Sequence, residues 1–124
     1  MWYNGSYTNA GSTGEVIGTG LSNTNKIIVS QANTGSYAAK LCADYTVTEG
    51  GVTYDDWYLP SKNEFAKLYE MKQLGFGNFA NFYYWSSTDY LSSINYARGL
   101  YLKNGFEFFT DKSSALYVRA IRAF

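Results

Sequence analysis

The sequence predicts an α+β fold, with two helices ahead of a C-terminal antiparallel β-meander, and three local signals predict it. Ser61-Lys62-Asn63-Glu64 fits the S-x-x-E capping box that opens a helix. Tyr37, Ala38, Leu41, Cys42 and Tyr45 recur at helical spacing. Asn104-Gly105 offers the two positive φ values of a type I′ turn, so Tyr96–Leu102 and Phe106–Thr110 read as paired strands.

Taken in order, residues 1–20 are rich in Gly, Ser, Thr and Asn and read as loops around one or two short strands. Asn23-Thr24-Asn25 offers N-cap side chains ahead of Lys26-Ile27-Ile28-Val29, which predicts a short helical turn before a first helix at about Ser36 to Tyr45. Thr46 to Asp56 reads as a polar loop containing Gly50-Gly51. Trp57-Tyr58-Leu59-Pro60 follows as a short buried strand stopped by a proline. The second helix begins at Ser61, buries Phe65, Leu68, Tyr69 and the stem of Lys72, and ends at Gly75. A tight loop then leads into Tyr83 to Phe124, where a turn at Asp111-Lys112-Ser113-Ser114 returns the chain into a third meander strand, Leu116 to Phe124. The expected core contains Leu41, Trp57, Leu59, Phe65, Leu68, Trp85 and Ile121.

A chain of 124 residues forms one domain, 1–124. Ten basic and ten acidic residues cancel, so no long-range field attracts nucleic acid or an anionic membrane. No stretch has the length or apolarity of a membrane span or signal peptide. The abrupt start at Met1-Trp2 reads as a piece cut from a longer chain whose signal, anchor or partner domain lies elsewhere. Histidine is absent and Cys42 is the only cysteine, which removes histidine general bases, Ser-His and Cys-His nucleophile systems, cysteine zinc sites and any intrachain disulfide. Cys42 falls in a helical apolar row as a buried small hydrophobe.

Aromatic content is the unusual quantity: 13 Tyr, 8 Phe and 3 Trp. Tyrosine offers a stiff contact face with a polar tip at small entropy cost, and recognition surfaces overuse it. In Phe106-Glu107-Phe108-Phe109-Thr110 and Ala115-Leu116-Tyr117, large apolar groups fall on both faces of their strands, where a one-sided sheet would alternate. Phe108 reads either way, as sandwiched core or as surface. The wider set is too large for so short a chain to bury, which predicts a binding surface. Its candidate members are Tyr90, Leu91, Ser93, Ile94, Tyr96, Arg98, Tyr101, Phe106, Phe108, Phe109, Thr110, Asp111, Ser114, Leu116 and Tyr117.

Asp55-Asp56, with Asp89, Glu107 and Asp111, could supply oxygen ligands to calcium, but their spacing matches no calcium loop and they read as solvated acids. Gly18-Thr19-Gly20 and Gly75-Phe76-Gly77 lack the setting of a phosphate loop and read as turns. Arg119 and Arg122 are expected to be structural, with at least one pairing to a buried acid or carbonyl.

Several blocks resemble a known family: Ile17-Gly18-Thr19-Gly20, Asn23-Thr24, Tyr37-Ala38-Ala39-Lys40-Leu41-Cys42, Asp56 to Glu64, Tyr84-Trp85-Ser86-Ser87-Thr88 and the ending Val118 to Phe124. In this order they resemble the Lcl C-terminal domain (DUF1566) across nearly the whole chain. The resemblance implies a C-type-lectin-like fold, two helices packed on twisted antiparallel sheets. The Trp-Ser-Ser-Thr opening and the Val-Arg-Ala-Ile-Arg-Ala-Phe ending are similar, more narrowly, to variable proteins of diversity-generating retroelements. That implies a fixed scaffold and a region of about 89–117 whose codons are scattered at adenines, Asn giving way to residues such as Tyr, Ser, Asp, Leu, Ile, Phe, Thr, Ala or Arg. Formylglycine-generating enzymes and calcium-dependent lectins share the fold, but their paired cysteines and their Glu-Pro-Asn and Trp-Asn-Asp motifs do not appear here.

These readings predict a non-enzymatic ligand-binding module of receptor or adhesin type with a hypervariable surface and no cofactor. The alternatives are a glycan- or glycosaminoglycan-binding adhesin and, behind it, a metal-dependent or formylglycine-generating type of enzyme. Expected partners are a protein or glycan ligand and a larger surface or phage-tail protein, with a homo-oligomer as a further reading and with neither nucleic acid nor membrane insertion. The expected location is extracellular, on a bacterial surface, a pilus or a phage virion. Substitutions at Leu91, Ile94, Tyr101, Phe106, Phe108, Phe109, Thr110, Leu116 and Tyr117 are expected to change what is bound while leaving stability within about 1 kcal/mol, and changes at Trp85, Gly105, Arg119 or Ile121 to do the reverse.

Overall fold

A computed structural model describes residues 1–32, 34–77, 79–90 and 92–122. Along the chain run α1 (Gly20–Gln31), α2 (Ala38–Asp44), β1 (Val47–Glu49), β2 (Val52–Tyr54), α3 (Lys62–Gln73), β3 (Tyr83–Asp89), β4 (Tyr96–Tyr101) and β5 (Phe106–Asp111). The class is mixed α+β, with three helices and two antiparallel sheets, β1-β2 and β3-β4-β5, among the described residues.

The capping box forms as its sequence requires. Ser61 Oγ accepts from Glu64 N, and Glu64 Oε1 accepts from Ser61 N at 2.9 Å. Glu64 is buried, and its other oxygen accepts from Gly18 N at 3.1 Å. One carboxylate thereby satisfies orphan donors on two segments. The helix it opens buries Phe65 and Leu68.

The expected short turn near residue 26 is a twelve-residue helix, α1, and Asn23 and Thr24 lie inside it rather than capping it. Both are buried connectors: Asn23 exchanges hydrogen bonds with the Gly14 backbone, while Thr24 Oγ1 donates to Gly20 O and accepts from Leu59 N. Polar residues doing core duty interrupt the apolar stripe by which a helix is recognised. The next helix is shorter than expected and buries Ala38, Ala39 and Cys42, which leaves Leu41 51% exposed instead of in the core.

Turn chemistry also moves. Gly50 and Gly51 both have positive φ (58° and 80°) and join β1 to β2 with Glu49 opposite Val52, the two-residue I′ hairpin geometry. The stretch expected to be a polar loop is thus a small sheet. At Asn104-Gly105, by contrast, only Gly105 has positive φ. Tyr101 pairs with Phe106 across a four-residue loop, in which Gly105 N donates to Tyr101 O at 2.8 Å and Leu102 is buried outside the strand.

The third meander strand is not where the sequence placed it. In the sheet, β3 lies beside β4, and the C-terminal segment runs along the far edge of β3, with a parallel bridge at Tyr84↔Tyr117 and an antiparallel one at Tyr58↔Ile121. Tyr58 makes that bridge alone; Tyr58, Leu59 and Pro60 are buried and Trp57 is half-buried. Lys112 accounts for the detour. It is fully buried, its N donates to Asn95 O, and its Nζ lies 3.0 Å from Asp89 Oδ1, so the chain dives beneath the sheet instead of folding back against β5.

Two cores sandwich the sheet. One gathers Trp2, Ile27, Tyr37, Leu59, Trp85 and Ala97, and the other gathers Phe65, Leu68, Tyr84, Leu100 and Ile121. The C-terminal segment serves both: Leu116, Val118 and Ala120 pack on the first, and Ile121 belongs to the second. Apolar groups on both faces are therefore partly a consequence of two layers. The expected ending Ala123-Phe124 lies outside the described residues.

Candidate ligand-binding surface

Register decides which side chains share a face, because residues directly opposite across an antiparallel pair point the same way. Tyr83, Tyr101 and Phe106 form one row, and Trp85, Gly99 and Phe108 the next, on the first face together with Ala97 and Thr110. The second face holds Tyr84, Leu100 and Glu107, then Arg98 and Phe109, then Tyr96 and Asp111. The first core covers its face at Trp85 and Ala97; the second covers the other face at Tyr84 and Leu100. Each layer stops short at a different end, which leaves diagonally opposed corners of the sheet uncovered.

At the hairpin tip, Tyr83 and Tyr101 stack with ring centroids 4.2 Å apart, and Phe108 meets Tyr83 edge-on at 5.3 Å. Phe108 lies over Gly99, where a Cβ would come within 2.7 Å of its ring. Phe106, beside them, is 61% exposed.

At the other corner Tyr90 stacks on Phe109 at 4.3 Å, Tyr96 closes to 5.8 Å from Phe109, and the Arg98 guanidinium sits 5.3 Å over the Tyr90 ring. Phe109 is 49% exposed. Asp111 borders this cluster and accepts from Ser113 Oγ and N and from the Tyr7 hydroxyl, at 2.7, 2.9 and 2.7 Å. Hydrogen bonds, from Ser113 first and then Tyr7, hold its carboxyl below the usual carboxylate range. Beside Tyr90, a hollow of about 120 Å³ is lined by Asn9, Thr13, Asp89 and Ile94.

The remaining expected residues scatter. Tyr117 is 49% exposed and stacks on Phe82 at 4.8 Å. Ile94 is exposed, Ser93 Oγ accepts from Asn95 N in a turn, and Thr110 is half-buried opposite Ala97. Ser114 supplies the carbonyl to which Trp85 Nε1 donates, and Leu116 packs against the first core. Leu91 lies outside the described residues. The expected single surface is therefore two corners on opposite faces plus a Phe82–Tyr117 pair. Tyr83 and Phe82 are absent from the sequence-predicted set; they lie just ahead of the Tyr84–Thr88 block, and a run of adjacent aromatics entering a strand is the signal that points to them.

The acids disperse. Asp56 takes both an Nε and an Nη2 hydrogen bond from Arg122, which lowers its pKa; Asp89 pairs with Lys112, and Glu107 with Lys62. Among the described residues no three Asp, Glu or Cys gather as metal ligands would. Among the described residues neither arginine pairs with the buried acid or carbonyl expected for at least one of them: the Asp56 partner of Arg122 is exposed, and Arg119 lies 4.5 Å over the Phe79 ring. Burial pushes the Cys42 thiol up to about 12, away from nucleophilic chemistry.

No curated protein and no solved structure matches the chain. The family model for the Lcl C-terminal domain matches residues 2–122, nearly the whole length, and takes in every element described above. The chain belongs to the Lcl C-terminal domain family.

Proposed function

We propose that this domain is a non-enzymatic ligand-binding module of C-type-lectin-like architecture, displaying its contact residues at the two aromatic corners of the β3-β4-β5 sheet. The observation that supports it is two sets of contacting, partly exposed rings: Tyr90, Tyr96 and Phe109, with Arg98 over Tyr90, and Tyr83, Tyr101 and Phe108, with exposed Phe106 in the same row. Tyr and Arg dominate binding hot spots because they combine large contact area with directed hydrogen bonding. Stacking holds these rings before any ligand arrives, which lowers the ordering cost of association. In the wider reading, a retroelement diversifies the corner residues that fall within about 89–117 while the scaffold, Tyr83 included, stays fixed, and the domain sits on a larger protein at a bacterial surface, pilus or virion.

The test is to sequence sister copies of the coding region from many cells of the source population. Substitutions concentrated at Tyr90, Ile94, Tyr96, Arg98, Tyr101, Phe106, Phe108 and Phe109, with Trp85, Gly99 and Lys112 unchanged, support the reading. Differences spread evenly over residues 1–124 overturn it.

A further inference from the structure

The C-terminal segment meets its neighbours at two isolated bridges four residues apart, Tyr117 and Ile121. Tyr117 N donates to Tyr83 O, and Tyr117 O accepts from Trp85 N, each at 3.0 Å; Ile121 exchanges both its groups with Tyr58 at 2.9 Å. In extended backbone the N–H and C=O of one residue point to the same side, and the next residue's point to the other. Those of Tyr117 and Ile121 face β3 and Tyr58, so those of Val118 and Ala120 face away. Among the described residues no backbone hydrogen bond engages Val118, Arg119 or Ala120.

That open edge borders a cleft of about 610 Å³ with largely apolar walls: Leu41 from α2, Tyr45 at its C-cap, and Trp57. Leu41 and Tyr45 are exposed, although both are large and apolar. Tyr45 meets Trp57 edge-on at 5.0 Å, so the far wall is fixed. Arg119 also lines the cleft, stacked on Phe79 with no carboxylate partner among the described residues.

We propose that this cleft binds an extended peptide of a partner protein by strand addition to the Val118–Ala120 edge. Donor and acceptor pairs two residues apart match the repeat of a β-strand, and an unpaired edge is the usual template for this mode of recognition. Cross-strand neighbours share a face, so the peptide residue opposite Arg119 is an Asp or Glu. Its two neighbours are apolar and face the side on which Val118 and Ala120 pack. The recognised pattern is apolar-acidic-apolar. The site lies outside the aromatic corners and does not rest on their role.

The probe is acetyl-Thr-Val-Asp-Val-Thr-amide, titrated into the ¹⁵N-labelled full chain by NMR. In the free protein the Val118 and Ala120 amides exchange with solvent faster than those of Tyr117 and Ile121, and the peptide protects them. Replacing the peptide's Asp by Asn, or making Arg119→Gln, weakens binding roughly two- to fivefold, the range of one cross-strand ion pair. N-methylating both peptide valines abolishes it. Val118 and Ala120 amides already protected without peptide would overturn the proposal. So would shifts confined to Tyr96 and Phe109, or none at saturating peptide. Equal affinity for the Asp and Asn peptides overturns the acidic specificity and with it the stated partner.

Discussion

Lys112 Nζ lies 3.0 Å from Asp89 Oδ1, with both side chains sealed from solvent, and the same ammonium sits 4.6 Å over the Trp2 ring and donates to Thr8 O. One cation thus ties the end of β5 to the end of β3 and to the N-terminal segment. Removing one partner strands the other as an uncompensated buried charge. Lys112→Ala should cost about 3–5 kcal/mol in urea unfolding, and adding Asp89→Ala should recover part of that loss. A loss under about 1 kcal/mol would show that solvent reaches the pair.

Gly99 is where β3, β4 and Phe108 meet. A Cβ there would lie 2.5 Å from Tyr84 O and 2.7 Å from the Phe108 ring. Gly99→Ala should therefore destabilise by about 1–3 kcal/mol. Adding Phe108→Ala should relieve only part of this, because the Tyr84 carbonyl cannot move without breaking strand pairing. A double-mutant cycle measures the residue that remains.

The corners and the core should separate in a stability scan. Phe106→Ser and Ile94→Ser, at exposed positions, should each shift the unfolding free energy by less than about 1 kcal/mol. Phe65→Ala should cost about 3–5 kcal/mol. Leu116→Ala, packed on the first core, should fall between them and exceed the corner substitutions.

Asp111 carries a pH signature. Its folded pKa is depressed by Ser113 and Tyr7, so the stabilisation it gives is present above the unfolded value near 3.8 and is lost as pH falls through the folded value. The ¹³C chemical shift of its carboxyl should titrate below that of a free aspartate, and Tyr7→Phe should move the midpoint upward. An unchanged midpoint would mean that the Tyr7 hydrogen bond does not persist in solution.

Cys42 should resist iodoacetamide at pH 8, where a thiol pushed up to about 12 holds almost no thiolate. In denaturing urea the same reagent should label it readily.

What could be read from the sequence was what depends on neighbours in sequence. The Ser61–Glu64 box has both partners within one helical turn, and β4 and β5 follow from residues that flank one loop. The hidden parts depend on distant partners: α1 buries Asn23, Thr24 and Gln31 because Gly14, Leu59 and Ser6 wait to bond them. Lys112 sits in a turn and looks solvated until Asp89 is placed beside it. At the candidate site, broken alternation correctly flagged Phe106, Phe109 and Tyr117 as exposed. Their division between faces required the register, which a four-residue loop sets. A two-residue turn at Asn104-Gly105 would have put Tyr101 opposite Phe108 rather than Phe106, a slip of two that leaves each ring on its own face.

The N-terminal segment is stitched to the last strands: Trp2 Nε1 donates to Ser86 O, Trp2 N to Lys112 O, and Tyr7 to Asp111. At roughly 5–20 residues per second of synthesis, Trp2 emerges about 4–17 s before Ser86 and longer still before Lys112. Through that interval Trp2, Ile27 and Tyr37 have no sheet to pack on, so the domain folds only after nearly all of it has been translated. A ribosome stalled before Lys112 would present an adhesive, protease-sensitive chain, which makes the nascent state the moment at which this domain depends most on chaperones.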